Sequence, residues 1–311
     1  MLTAFFSHPE CRAHDMGRGH PECPQRLDAI LDHLRATGLD VALDMREAPS
    51  ASDDALARAH TTGYLREIDA QMGRAVAEGR RVAIDPDTSA GPDTGTAARR
   101  AAGAAIAATD AVIDGSAANA FCAIRPPGHH ATRDAAMGFC FYNNVAVAAR
   151  HALDVRGLQR VAIIDFDVHH GNGTEDIVAG DERILMCSFF QHPLYPYSGA
   201  VPRGTNMVNV PLPPYAGGAA VREAVERQWL PALEAFAPEM VFVSAGFDAH
   251  RDDDLGQMAL VEADYAWITR QLVDVAARHA RGRLVSCLEG GYDLGALARS
   301  VAAHLRVLTA A

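Results

Sequence analysis

The sequence has no apolar run approaching the roughly 18 residues that a bilayer-crossing helix requires, which argues against a helical membrane protein. Its start, MLTAFFSHPE, has no charged segment ahead of a short apolar run and no small-residue cleavage site, so it does not read as a secretory leader. Cysteine is sparse: six in 311 residues, at 11, 23, 122, 140, 187 and 287, without disulfide-dense spacing. A cytoplasmic location is the expectation. Excess positive charge is also missing, since 39 acidic side chains face 28 basic ones and leave a net charge of −11. Such a field repels phosphate backbones and anionic lipid, so neither nucleic acid nor membrane is an expected partner, whereas cationic substrates are mildly favoured. Internal repeats, low-complexity tracts and Pro/Ser linkers are absent as well, and residues 1–311 are expected to form a single domain.

What is present is an ordinary globular balance of 49% apolar and 22% charged residues. Short runs rich in Val, Ile, Leu and Phe lack the alternation of half-exposed strands, so they predict strands buried on both faces. They cover 2–6, 120–124, 161–165, 183–189, 207–212, 240–245 and 283–288. Between many of them, apolar residues recur every three or four positions, predicting helices at about 24–36, 64–78, 96–113, 143–154, 218–236, 262–280 and 294–308. Strands alternating with helices long enough for crossovers imply an α/β fold with a mainly parallel sheet.

Glycine and proline gather just after the strands, in RPPGHH, HHGNG, SAGFDAH and LEGGYD, and the same loops hold most of the chemically versatile side chains. Sites in open α/β sheets lie beyond the carboxyl ends of the strands, so the site is expected there. In VAIIDFDVHHGNG, extended backbone puts Asp165, Asp167 and His169 on one side and Phe166, Val168 and His170 on the other. Asp167 and His169 can close on one metal, and an Asp/His set suits Zn²⁺ or another divalent transition metal. Mere strand-end capping is the blander reading, but charged groups rarely follow a buried strand without a partner. Asp248, after the run MVFVSAGF, can supply a third ligand and leave a position open, although by itself it reads as a turn or cap residue. His250 is more readily a loop residue than a fourth ligand. The adjacent His129 and His130 offer proton transfer and electrostatic stabilisation, and Tyr292, after Gly290 and Gly291, can aim its hydroxyl at a developing oxyanion. Cys11, His14, His20 and Cys23 have the spacing of a closed structural zinc site, but Pro21, Glu22 and Pro24 read better as a helix lead-in.

Taken together, GHPECPQRL, RPPGHHA, GFCFYNN, DFDVHHGNGT, SAGFDAH and LEGGYD resemble, in order and across essentially the whole chain, the zinc-dependent histone deacetylases, with their bacterial amidohydrolase and acetylpolyamine amidohydrolase relatives. The resemblance implies an arginase/deacetylase-like three-layer α/β fold with helices on both faces of the sheet and a narrow tube leading to one catalytic Zn²⁺. It implies Asp167, His169 and Asp248 as zinc ligands, His130 as general base and acid, His129 as an electrostatic partner, and Tyr292 as hydrogen-bond donor to the substrate carbonyl. Phe139, with Gly138 before it, and Tyr195 match the tunnel walls, although the family more often has phenylalanine at the second aromatic. Asp165 resembles the carboxylate that orients the first histidine and, with Ser188, helps hold a structural K⁺. Asn172 stands where class I enzymes have an aspartate behind the second histidine, as in class II relatives. Gln25 replaces a glutamate common in the family.

The implied reaction is hydrolysis of the acyl amide of acetyl-lysine in proteins, or of an acylated polyamine. Leu255, seven positions after Asp248, stands where polyamine-selective eukaryotic members carry a glutamate, which favours acyl-lysine. A binuclear manganese ureohydrolase would need bridging carboxylates, but Gly171 follows His169 by two positions, and two positions beyond Asp248 stands His250 rather than an aspartate. A non-catalytic acyl-lysine binder would be credible had a ligand or the tyrosine been lost, and none has. A homo-oligomer stays open.

Overall fold

The apolar runs without alternation become the strands of one large sheet in a computed structural model that describes residues 2–311. In chain order the strands are β1 (Thr3–Ser7), β2 (Leu43–Glu47), β3 (Val82–Ala83), β4 (Ser89–Ala90), β5 (Ala120–Cys122), β6 (Val161–Asp165), β7 (Ile184–Gln191), β8 (Met207–Leu212), β9 (Met240–Ala245) and β10 (Leu284–Leu288). Apart from the antiparallel pair β3–β4, they line up in the order β2-β1-β5-β10-β9-β6-β7-β8, and every neighbouring pair is parallel. Parallel pairing requires long crossovers, which lie on the faces and bury the strands. Every residue of β5, β6, β7, β9 and β10 is accordingly buried.

Two groups of helices supply the cover. Helices Gln25–Thr37, Glu262–His279 and Leu294–Leu308 pack together, while Thr94–Ile113 packs with Asn144–Asp154 and the short Pro9–Ala13. The alanine-rich helix Thr94–Ile113 uses its small residues for close approach: a Cβ on Gly103 would lie 1.9 Å from the Pro49 carbonyl oxygen. The stretch 218–236 is helical throughout, but Val225–Trp229 is a π turn in which the Leu230 N–H reaches back to the Val225 carbonyl. Pro231 follows at once and has no N–H for an α-helical bond, so the wider turn falls where the ladder is already broken.

The consequence for function is one of position. β5, β10, β9 and β6 are consecutive in the middle of the sheet, and their carboxyl ends lead into the loops holding His129 and His130, Tyr292, Asp248, and Asp167 with His169. Two of these loops run straight into capped helices: Asp293 accepts the Ala296 N–H at 2.7 Å, and Asn143, beyond the histidine loop, accepts the Ala146 N–H at 3.0 Å.

Candidate metal centre

Asp167, His169 and Asp248 come together just beyond the ends of β6 and β9, although the chain bends at 167–169 instead of staying extended as the alternation predicted. One ligand atom from each lies within 4.8 Å of the others, and all three residues are buried. Among the described residues this is the one grouping of three or more such side chains within metal-ligand reach. His169 Nδ1 stands 3.0 Å from Asp167 Oδ1 and 3.1 Å from Asp248 Oδ2. Backbone N–H groups fix both carboxylates: Gly290 donates to Asp167 Oδ2 at 2.8 Å, and Val168 donates to Asp248 Oδ1 at 2.9 Å. Gly290 is glycine because of this approach, since a Cβ there would fall 2.1 Å from Asp248 Oδ2 and 2.6 Å from Asp167 Oδ2.

The electrostatics of the trio are those of ligands that want a cation. Burial opposes a charge on His169, yet Asp167 and Asp248 overcome it and raise the imidazole to about 10. Asp248 is pushed up to about 7 by burial and by the neighbouring Asp167 carboxylate. Two carboxylates and one imidazole nitrogen in a largely buried pocket fit a catalytic zinc site of three protein ligands.

The histidine pair lies alongside, with ring centroids 4.0 Å apart, in two different environments. His129 Nδ1 meets Asp165 Oδ2 at 3.0 Å and its Nε2 lies 3.8 Å from Asp167 Oδ2. Burial disfavours charge on this ring, but Asp167 and Asp165 prevail and hold its pKa well above the ordinary histidine value. His130 Nδ1 instead meets the Asn172 amide oxygen at 2.7 Å. Burial, followed by the charges of His129 and His169, holds His130 well below the ordinary value, so its ring is neutral. The two imidazoles are thus pushed in opposite directions, His129 towards the charged form and His130 towards the neutral one.

The other expected positions surround this centre. The Tyr195 ring is 5.2 Å from that of His130 and 6.3 Å from that of His169, and Phe139 meets Tyr292 edge-on at 6.0 Å. Phe139 (φ 69°) and Gly138 (φ 55°) are both left-handed, and a Cβ at Gly138 would strike the His130 ring at 2.5 Å. Backbone strain is thus concentrated where the loop must pass the histidine. Leu255 is half-buried on the segment after Asp248. Asp165 lies in register with Ser188 on β7 and Ser244 on β9, and the Ser188 hydroxyl donates to Asn209 Oδ1 at 3.3 Å.

Three other histidine readings resolve clearly. His170 points away from the trio, with Nε2 2.9 Å from Glu175 Oε2. His250 takes the Asp252 N–H on Nδ1 at 3.1 Å and stays outside the metal grouping. The four residues of the alternative N-terminal zinc site do not assemble: His14 binds Thr94 Oγ1 at 2.8 Å, and His20 packs on Phe139 at 4.7 Å.

Several residues that shape the site were not singled out from the sequence. Glu289, fully buried, accepts the N–H groups of Gly128 at 2.6 Å and His129 at 3.1 Å, and the Ser244 hydroxyl at 3.1 Å. Arg26, also buried, donates to the carbonyls of Gly291 at 2.6 Å and Glu289 at 2.5 Å and lies over the Tyr292 ring, 5.0 Å from its centroid. Glu22 holds Arg26 at 3.1 Å and Arg125 at 2.6 Å. Both Glu289 and Arg26 lie inside motifs already noted, and a charge directly after a fully buried strand was the available signal for Glu289.

Residues 20–308 match the family model described as the histone deacetylase domain. A histone deacetylase-like amidohydrolase of Pseudomonas aeruginosa is 43% identical, over 94% of this chain and 82% of that protein. A polyamine deacetylase of Mus musculus, HDAC10, is 39% identical over 99% of this chain, which spans 48% of that longer protein. Among solved structures, the HDA15 HD domain superposes with a TM-score of 0.91 at 31% identity, covering 100% of this chain and 90% of that one.

Proposed function

The chain belongs to the histone deacetylase family, and from that premise we propose that it is a zinc-dependent amidohydrolase that cleaves the acyl amide of N-ε-acetyl-lysine to a free amine and a carboxylate. The observation that carries this reading is the buried Asp167–His169–Asp248 trio beside His130, whose Nδ1 meets the Asn172 amide oxygen at 2.7 Å. Asp167, His169 and Asp248 would hold the zinc, which, when bound, supplies Lewis-acid polarisation of the acyl carbonyl and of the attacking water.

The chain's own residues do the rest. His130, neutral and oriented by the Asn172 amide, accepts the water proton on Nε2 and passes it to the leaving amine. His129, charged and held by Asp165, adds positive potential beside the reacting carbonyl. The Tyr292 hydroxyl remains protonated, since burial and then Asp248 raise it well above its ordinary value, and it donates to the carbonyl oxygen as negative charge develops. Phe139 and Tyr195 form apolar walls for the lysine stem and exclude water. Asp165 and Ser188, side by side in register, would hold a potassium ion behind the histidines.

The choice of acyl-lysine over an acylated polyamine is supported by Leu255, which offers no charge to an internal cationic nitrogen. kcat/KM measured on an acetyl-lysine peptide should exceed that on acetylputrescine by about tenfold or more. A preference for acetylputrescine would move the substrate to the polyamines, and inertness of the zinc-loaded enzyme on both would refute hydrolysis of either.

A further inference from the structure

One buried carboxylate that is neither a zinc ligand nor a partner of the histidines touches two of the segments shaping the site. Asp253 lies five residues beyond Asp248 and is 4% exposed. Its Oδ2 accepts the N–H of Tyr292 at 2.6 Å and of Asp293 at 3.0 Å, while its Oδ1 accepts the N–H of Leu255 at 3.0 Å. All three partners are donors, so the carboxylate serves as a pure acceptor with both oxygens in use.

Each arm adds to the few contacts that define its segment. Tyr292 follows Gly290 and Gly291, and Gly291 has φ +119°, so this turn owes its shape to what grips it. Asp167 grips the Gly290 N–H and Arg26 the Gly291 carbonyl, leaving the 292–293 amides to Asp253. These amides open helix Leu294–Leu308, where an acidic group is favoured. On the other arm, Gly256 is pressed so close to the ligand loop that a Cβ would lie 2.8 Å from Val168 Cγ2 and 2.9 Å from the Asp248 carbonyl oxygen. A shift of Leu255 therefore changes the channel wall without room for compensation on the inner side.

We propose that Asp253 is a positioning residue that ties the channel wall at Leu255 to the hydroxyl donor Tyr292, so that substrate selection and turnover are coupled through one carboxylate. The roles of Leu255 and Tyr292 in this coupling rest on the amidohydrolase reading above; the hydrogen bonds do not.

Asparagine separates the two arms. It has a single acceptor oxygen, which can keep the two amides at 292 and 293, and its NH₂ group then faces the Leu255 N–H as donor against donor. The test uses the full-length zinc-loaded enzyme, Asp253→Asn and Asp253→Ala, with kcat and KM on acetyl-lysine peptide and acetylputrescine, zinc content, and amide hydrogen exchange at Leu255, Tyr292 and Asp293. In Asp253→Asn we expect faster exchange at Leu255 alone, a changed ratio of kcat/KM between the two substrates, and kcat within a few fold of wild type. In Asp253→Ala we expect faster exchange at all three amides and kcat lower by about 10- to 100-fold with zinc retained. Unchanged protection at Leu255 in Asp253→Asn, or losses that follow zinc content alone, would overturn the coupling. If Asp253→Ala does not fold, the asparagine variant decides by the same readouts. Should the wild type hydrolyse neither substrate, the functional reading fails while the exchange data still judge whether Asp253 ties the segment at Leu255 to that at Tyr292.

Discussion

Two histidines that are neighbours in sequence and in space are pushed in opposite directions: Asp167 and Asp165 outweigh burial and raise His129, whereas burial and the charges of His129 and His169 lower His130. Asp165 backs His129, whereas an uncharged amide backs His130. A proton acceptor must be neutral before the reaction, so the ring lacking a carboxylate is the one suited to the task. This assignment yields a pH prediction whose sign follows directly. Asn172→Asp places a negative charge 2.7 Å from His130 Nδ1, favours the imidazolium and raises its pKa. Because only the neutral form accepts the water proton, the acidic limb of the kcat/KM profile should move to higher pH, by about one to two units. An unmoved limb in the aspartate variant would remove His130 from the role of base.

At the level of elements, the decisive piece is the loop after β10, which meets the loops holding His129 and His130, Asp167 with His169, and Asp248. Gly290 donates to Asp167, Glu289 accepts from the histidine loop, and the 292–293 amides rest on Asp253. Gly290→Ala should therefore act on the metal rather than on the bulk of the fold. Its methyl group would occupy space held by the Asp167 and Asp248 carboxylates, so zinc per chain after dialysis should fall well below one while far-ultraviolet circular dichroism stays unchanged. Full zinc occupancy would show that the loop relaxes instead. The sequence exposed this arrangement unevenly, for physical reasons. The buried parallel strands were legible because burial on both faces demands unbroken apolar runs, as in β6 and β9. β2 was not, since LDMRE lies at the sheet edge with only Leu43 buried and presents no such run. The clustering of Asp167, His169 and Asp248 beside the histidine pair was legible because each follows a strand in a short motif. Asp253 and Arg26 were not, because their partners lie 39 and 265 residues away and no local pattern records such a contact.

Taken as a whole, the molecule carries net charge −11 with every one of its 28 basic side chains an arginine. Two consequences follow for a hydrolase of acyl-lysine. The chain has no lysine that could serve as its own substrate, so any acyl-lysine in an assay belongs to the added peptide. Its field also works over the distance at which substrates are captured, raising the encounter rate of cationic peptides at low salt. Near the site the β3–β4 turn adds Asp85 and Asp87, both close enough to Tyr195 to raise its phenol after burial has done so. An acetyl-lysine peptide flanked by arginines should therefore show higher kcat/KM than one flanked by glutamates at low ionic strength. The Debye length shrinks from about 30 Å at 0.01 M to about 3 Å at 1 M salt, so the gap should close over that range, through kcat/KM with kcat little changed. A preference that persists undiminished in 1 M salt would instead place the discrimination in direct contacts at the channel rim, where screening does not reach.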